Sequence, residues 1–192
     1  MKTSKNGVEM IKTFEGCILH AYDDGFGNLT IGYGHCANDV YNGQIITQSE
    51  AEQMLINDLK RFEDNVNKYV ATYDLNQNEF DALVSFAYNI GNVDELLNYG
   101  SREKSTITTE MLTYCHAGGQ VVEGLQIRRK KEVELFNKTV IRNIEYYAHL
   151  VCETLNGKYG VDEQRKNALG EDYRIVQGCI NTMWDYIGKN IK

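Results

Sequence analysis

Proline is absent from all 192 residues, and no Gly/Ser-rich run takes its place. The chain therefore holds no linker of recognisable composition, and a domain junction must be read from pattern alone. No apolar run approaches the ~20 residues that a bilayer-spanning helix needs, so stable membrane insertion is not expected. The opening stretch MKTSKNGVEMIKTFEG lacks the roughly 7–15-residue apolar core of an export signal. Retention in the cytosol until another factor lets the protein out is the expectation. Low-complexity tracts and internal repeats are missing too. Positive charge is in deficit: 20 Lys+Arg face 27 Asp+Glu, a formal net charge of -7. Phosphate backbones attract the opposite sign, which argues against nucleic acid as the main partner.

What is present is enough to fold. Hydrophobic residues make up 42% and aromatics 10%, as in globular proteins of one medium domain, or one plus a small appendage. The acidic excess is lopsided: residues 1–145 hold 14 Lys+Arg against 21 Asp+Glu, whereas residues 146–192 hold six of each. The basic run Arg128-Arg129-Lys130-Lys131 is followed by Glu132 and Glu134 at helical spacing and reads as a solvated helix face. Five cysteines, an odd number without an export signal, read as reduced thiols. Cys17, His20, His35 and Cys36 offer nitrogen and sulfur ligands, but their spacing matches no zinc template, and no metal is expected.

Val8, Ile11, Phe14 and Ile18 recur at three- and four-residue steps, predicting a helix from near Ser4 to Gly16. Leu29, Ile31 and Tyr33 then alternate with Thr30, Gly32 and Gly34, the period of a strand, with turn chemistry at Asp24-Gly25 and Gly27-Asn28. Thr47-Gln48-Ser49-Glu50 is a capping-box pattern opening a long helix through Met54, Leu55, Leu59 and Phe62. Asn76 caps another helix carrying Phe80, Leu83, Val84 and Ala87, and helical pattern continues on both sides of Gly118-Gly119. After Lys138 three short helical segments follow. In the last, Tyr173, Val176, Ile180, Met183 and Ile187 form one apolar stripe, read as that unit's own core. The expected architecture is α+β, mostly α, with one small N-terminal β-hairpin sheet and a small three-helix C-terminal domain. The junction is placed near 140–147, giving domains 1–142 and 147–192.

Chemistry concentrates in FEGCILHAYDDGFGNLTIGYGH, residues 14–35. Glu15 closes the first helix, where the dipole is negative and apolar neighbours disfavour charge. Both effects favour the protonated form that a general acid needs when it donates to a leaving oxygen. Thr30, Gly32 and Gly34 share a strand face nearly bare of side chains, which lets a large substrate approach the backbone. Asp24, at the turn leading into that strand, can be brought opposite Glu15. An acid, a second carboxylate and a hydroxyl around a shallow cleft are the parts for hydrolysing a glycoside with water. The separation of the carboxylates, and with it inversion or retention, stays open at this level.

Glu15, eight residues, Asp24, five residues, Thr30 resembles the catalytic signature of the phage-type lysozymes of glycoside hydrolase family 24, including the endolysins. NGVEMIKTFEG, GNLTIGYGH, ITQSEAEQMLINDL, LNQNEFDALVSFAYNIGN and AGGQVVEGLQIRRKKEVELF look like that family's blocks, in its order, over about residues 4–138. The resemblance implies a lysozyme-like catalytic domain. It also implies an N-acetylmuramidase that cuts the β-1,4 bond between N-acetylmuramic acid and N-acetylglucosamine in peptidoglycan. Glu15 would protonate the glycosidic oxygen; Asp24 and Thr30 would hold and activate the attacking water, as in inverting members. Family spacing alone selects Asp24 over the adjoining Asp23. Gly32 and Tyr33 would contact substrate, His35 would support the hairpin, and no metal or cofactor is implied. Cys115 and His116 depart from the family, many members of which carry an aromatic residue ahead of Gly118-Gly119. The departure bears on substrate preference more than on the reaction.

NGKYGVDEQRKNALGEDYRIVQGCIN resembles the CW-seven type cell-wall-binding repeat. The match runs through Gly157-Lys158-Tyr159-Gly160, Arg165-Lys166, Leu169-Gly170, Tyr173 and Val176-Gln177 with Asn181; Val161-Asp162 departs from it where a polar residue and a glycine are usual. The implied role is to hold muropeptide without metal or choline, Tyr159 and Tyr173 stacking on sugars and Arg165 pairing with a stem-peptide carboxylate. One repeat binds weakly, and self-association through this unit would replace the missing copies. The expected protein is an endolysin that lyses its host, resident in the host cytoplasm until released to the wall. A catalytically silent peptidoglycan-binding protein and a lysozyme component of a phage tail or contractile device are the alternatives. Keeping Glu15, Asp24 and Thr30 together argues against the silent one.

Overall fold

The structure, a computed structural model, describes residues 1–138 and 144–190. The chain divides into two compact units, Met1–Thr139 and Val140–Lys192. Residues 140–143 of the expected junction lie outside the described residues.

In the first unit, α1 (Lys5–Glu15) begins where the Ser4 hydroxyl accepts from the Gly7 amide at 3.3 Å. It stops at Gly16, whose φ of 67° turns the chain away while its amide still reaches the Lys12 carbonyl at 3.1 Å. β1 (Ile18–Asp23) and β2 (Leu29–Gly32) pair antiparallel, Tyr22 opposite Thr30 and Asp23 opposite Leu29. Then come α2 (Gln48–Asn67), the single turn α3 (Val70–Tyr73) and α4 (Gln77–Ile90). Both long helices open on reciprocal capping boxes: Thr47 with Glu50, as the sequence predicts, and Asn76 with Glu79, where the sequence predicts only the Asn76 cap. α5 (Ile107–Met111) leads into a second hairpin of β3 (His116–Ala117) and β4 (Gln120–Val121), and α6 (Glu123–Phe136) follows. That hairpin corrects the expectation of a single sheet. Gly118 and Gly119 both take positive φ, 58° and 78°, as a tight turn demands, but two-residue strands are too short to show alternation.

Buried residues run without a break from Glu79 to Ala87, so α4 is the axis of the unit, with α1, α2 and α6 packed around it. Ile11, Leu55, Leu59, Phe80, Leu83 and Phe86 are almost wholly buried there, each contributing about 1.5–3 kcal/mol of hydrophobic stabilisation. Two polar groups on this axis have set tasks. Asp81 accepts from the Ser4 amide at 2.9 Å and from the Ser4 hydroxyl, pinning the start of α1; Ser85 serves the candidate site.

The second unit holds α7 (Ile144–Leu155), α8 (Asp162–Leu169) and α9 (Tyr173–Asn190) around Leu150, Val151, Leu169, Val176 and Ile180. The apolar stripe of α9 is core only in its first half, for Met183 is 44% exposed. Length explains this. Eighteen residues span about 27 Å, whereas the 12 and 8 residues of α7 and α8 span about 18 and 12 Å and cannot cover the last turns. Among the described residues no helix is long and apolar enough to cross a membrane.

Candidate active site

Glu15 ends α1 and keeps 22% of its side chain exposed. Its Oε1 accepts from Nη1 of Arg128 at 2.6 Å, and the Arg128 guanidinium lies 5.0 Å from the Phe14 ring centre. The expectation of purely apolar neighbours for this acid is thus corrected: it is ion-paired. The reading of the basic run as a solvated face is corrected with it, since Arg128 and Arg129 are buried while Lys130 and Lys131 are exposed. At 3.6 residues per turn, positions 128, 129 and 132 share the side of α6 that meets α4, and 130, 131 and 134 face away. Arg128 donates from Nε to Glu132 at 3.1 Å and from Nη2 to the Ser85 carbonyl at 3.0 Å. Sequence reasoning missed Arg128 as a site residue. Its signal was present in the Glu four residues on, a spacing that fits a buried pair as well as an exposed one.

Asp24 is held inside its own turn. Its Oδ1 accepts from the amides of Phe26 at 2.8 Å and Asn28 at 3.1 Å, and its Oδ2 from the Asn28 side-chain amide at 3.0 Å. The Asn28 amide first, then the backbone N–H groups, lower the pKa of this half-buried carboxyl below its ordinary value. Asp23 serves the neighbouring Gly25 amide instead, at 2.8 Å. Thr30 lies on the return strand opposite Tyr22 and is 5% exposed.

The open strand face expected at Thr30, Gly32 and Gly34 is not formed. β2 ends at Gly32, and Ile31 and His35 exchange two backbone hydrogen bonds of 2.9 Å, closing a turn. Gly32 is buried, and a Cβ there would meet Ala51 at 3.4 Å; Tyr33 is 5% exposed, its hydroxyl accepting from Gln48 at 2.7 Å. Both pack inward. Gly34 is the exposed member: a Cβ added at its φ of 90° would stand 3.9 Å from Glu15 Oε2. Gly34 also lines a cavity of about 220 Å³ with Cys36, Asp58, Arg61 and Tyr88. His35 braces the turn, reaching Asp58 on α2 at 2.8 Å and Asp39 at 3.0 Å. Among the described residues no group of three or more His, Cys, Asp or Glu is placed to hold a metal ion.

In the second unit, the three side chains expected to bind wall material hold its helices together. Arg165 donates to the Gly160 carbonyl at 3.0 and 3.2 Å and to Gln177 at 2.9 Å. Tyr159 and Tyr173 pack on the small core, and the Tyr159 hydroxyl donates to Glu153.

Residues 12–132 match the phage lysozyme family. An endolysin of Bacillus phage PZA is 40% identical over 151 residues, covering 75% of this chain and 58% of that protein. The chain thus spans less than two thirds of that relative's length. Among solved structures, the muramidase domain of SpmX from Asticaccaulis excentricus is 35% identical with a TM-score of 0.64, over 72% of this chain and 99% of that one. The endolysin of Escherichia coli O157:H7 phage FAHEc1 is 34% identical with a TM-score of 0.62, over 74% of this chain and 98% of that one. A mostly helical α+β unit that carries its Glu, Asp and Thr around one N-terminal hairpin, with these likenesses, belongs to the phage lysozyme family.

Proposed function

We propose that this protein is an endolysin, a muramidase of the glycoside hydrolase family 24 type that hydrolyses the β-1,4 bond between N-acetylmuramic acid and N-acetylglucosamine. The observation that carries the reading is the state of the two Glu15 oxygens. Arg128 anchors Oε1, and Oε2 lies beside the side-chain-free Gly34. Oε2 is then the oxygen that carries the proton to the glycosidic oxygen. Asp24, kept ionised by its turn, takes a proton from the attacking water, which the Thr30 hydroxyl helps to orient. The hydroxyl of that water ends on the anomeric carbon, and inversion is the expected outcome.

Residues 1–142 form the catalytic domain in this proposal, and residues 147–192 a CW-seven type unit that keeps the enzyme on the wall, with self-association supplying avidity. Residence in the host cytoplasm until release to the wall completes it. The test is clearing of a peptidoglycan suspension with release of muramic reducing ends. Wild type should do both, and Glu15→Gln should bind without cleaving; equal clearing by the two proteins removes Glu15 from the mechanism. Deleting 147–192 should weaken retention on walls more than turnover of soluble fragments. Unchanged retention would sink the anchoring role.

A further inference from the structure

Glu132 is fully buried on α6 and takes no part in the acid–base steps above, yet a single guanidinium separates it from Glu15. We infer that Glu132 is a positioning residue for the proton donor, acting through Arg128, which it shares with Glu15. The inference rests on Glu15 being the general acid.

The connections are continuous from α4 through α6 to α1. The Ser85 hydroxyl donates to Glu132 Oε1 at 2.7 Å, and that oxygen accepts from Arg128 Nε at 3.1 Å. Arg128 Nη2 is fixed on the Ser85 carbonyl at 3.0 Å, so only Nη1 is left to reach Glu15. A planar guanidinium bound at three points has no rotational freedom. Ser85 and Glu132 therefore decide where Glu15 Oε1 is held.

Charge makes the same point. Glu132 meets two guanidiniums, Arg128 and Arg129, whereas Glu15 meets Arg128 alone. Arg129 is wholly buried, donates to Asn89 at 2.9 Å and lies 3.0 Å from Glu132 Oε2, while its Nη1 has no partner among the described residues. Burial pushes Glu132 up and Arg129 down, each partly offset by the other's charge. The other titratable groups facing the cluster are Tyr88 on α4, whose hydroxyl is committed to the Tyr33 carbonyl at 2.8 Å, and Cys115 before β3. A buried set with an orphaned donor is poorly explained by stability, because apolar residues of similar volume do as well or better. A task at the site explains it. A general acid must alternate between protonated and charged forms, and an arginine bound to it alone would favour the charged form. Glu132 competes for that arginine.

The test is the pH profile of peptidoglycan cleavage by the full chain. Glu132→Gln removes the carboxylate that shares Arg128 with Glu15, and it should move the alkaline limb of this profile to lower pH by about one unit. On the limb that is roughly a tenfold loss of rate. The double variant E132Q/R129Q removes one charge of each sign and should return the limb towards wild type. A merely structural role would lower the melting temperature of both variants and leave the limb in place, which would overturn the inference. Should neither variant fold, Ser85→Ala decides: loss of the hydroxyl that seats Glu132 should move the limb the same way by a smaller amount, and an unmoved limb refutes the inference. Glu15→Gln run alongside separates the two readings, since cleavage by that protein would sink the general-acid assignment whatever E132Q does.

Discussion

Asn28 closes on Asp24 with two donors, its amide N–H 3.1 Å from Oδ1 and its side-chain amide 3.0 Å from Oδ2. The hairpin turn thus also favours the ionised form of the carboxylate to which the proposal gives the attacking water. Because these bonds depress the Asp24 pKa, activity that needs its charge persists below the usual carboxylate range and fades only as pH falls through the lowered value. Asn28→Ala removes the largest cause. The acid limb of the pH–rate profile should move to higher pH, with little change near neutrality. A limb that stays put would mean that Asp24 does not titrate in the rate-determining step.

His35 titrates in the opposite sense. Burial works against its charge, but the hydrogen bonds and charges of Asp39 and Asp58 outweigh it and raise the pKa above 6.5. A raised folded value contributes stability that is complete below the unfolded value and disappears as pH climbs through the folded one. Urea midpoints of wild type should therefore fall as pH rises above about 6.5, and those of His35→Gln should be flatter over the same range. Parallel curves would show that the Asp39 and Asp58 contacts add nothing to folding.

The parts of this fold that follow local rules were legible in the sequence. Ser4, Thr47 and Asn76 cap helices because a short polar side chain before an apolar period has few other uses, and Gly16 ends α1 because only glycine takes its φ without strain. Tertiary choices were hidden. Arg128 and Glu132 spell the same i,i+4 pair whether α6 turns them to water or to α4, and only the meeting with Ser85 decides. Gly32 and Gly34 looked alike in the strand period, yet one lies against Ala51 and the other beside Glu15. The end of α1 at Glu15 and the turn at Asp24 were foreseeable from local pattern; the arginine paired with Glu15 was not.

Gly7 sits inside α1, where alanine would ordinarily gain about 1 kcal/mol of helix propensity. Here a Cβ would stand 2.8 Å from Asp81 Cγ and 2.8 Å from Thr3 Cγ2, and Asp81 cannot retreat without releasing Ser4. Overpacking of this kind costs about 1–3 kcal/mol, so the steric effect wins over propensity. Gly7→Ala should lower the melting temperature and loosen the start of α1, read by amide exchange at residues 4–8. A higher melting temperature would mean that the contact relaxes cheaply.

Arg165 ties α8 to α9 through Gln177 and to the preceding turn through the Gly160 carbonyl. Charge-assisted bonds of this kind are worth about 1.5–3 kcal/mol each when broken. A unit of roughly fifty residues has little stability to spare. Arg165→Ala should therefore unfold the second unit while the first keeps its structure. The expected readings are fast proteolysis confined to residues beyond 143 and, on the proposed activity and anchoring role, loss of retention on walls with unchanged turnover of soluble peptidoglycan fragments. Gln177→Ala separates packing from recognition, because it removes the partner and leaves the guanidinium. If Arg165 acts by holding the helices, Q177A should reproduce part of the proteolytic sensitivity. If instead both variants stay folded and only R165A leaves the wall, the guanidinium touches the wall directly and its structural role is secondary.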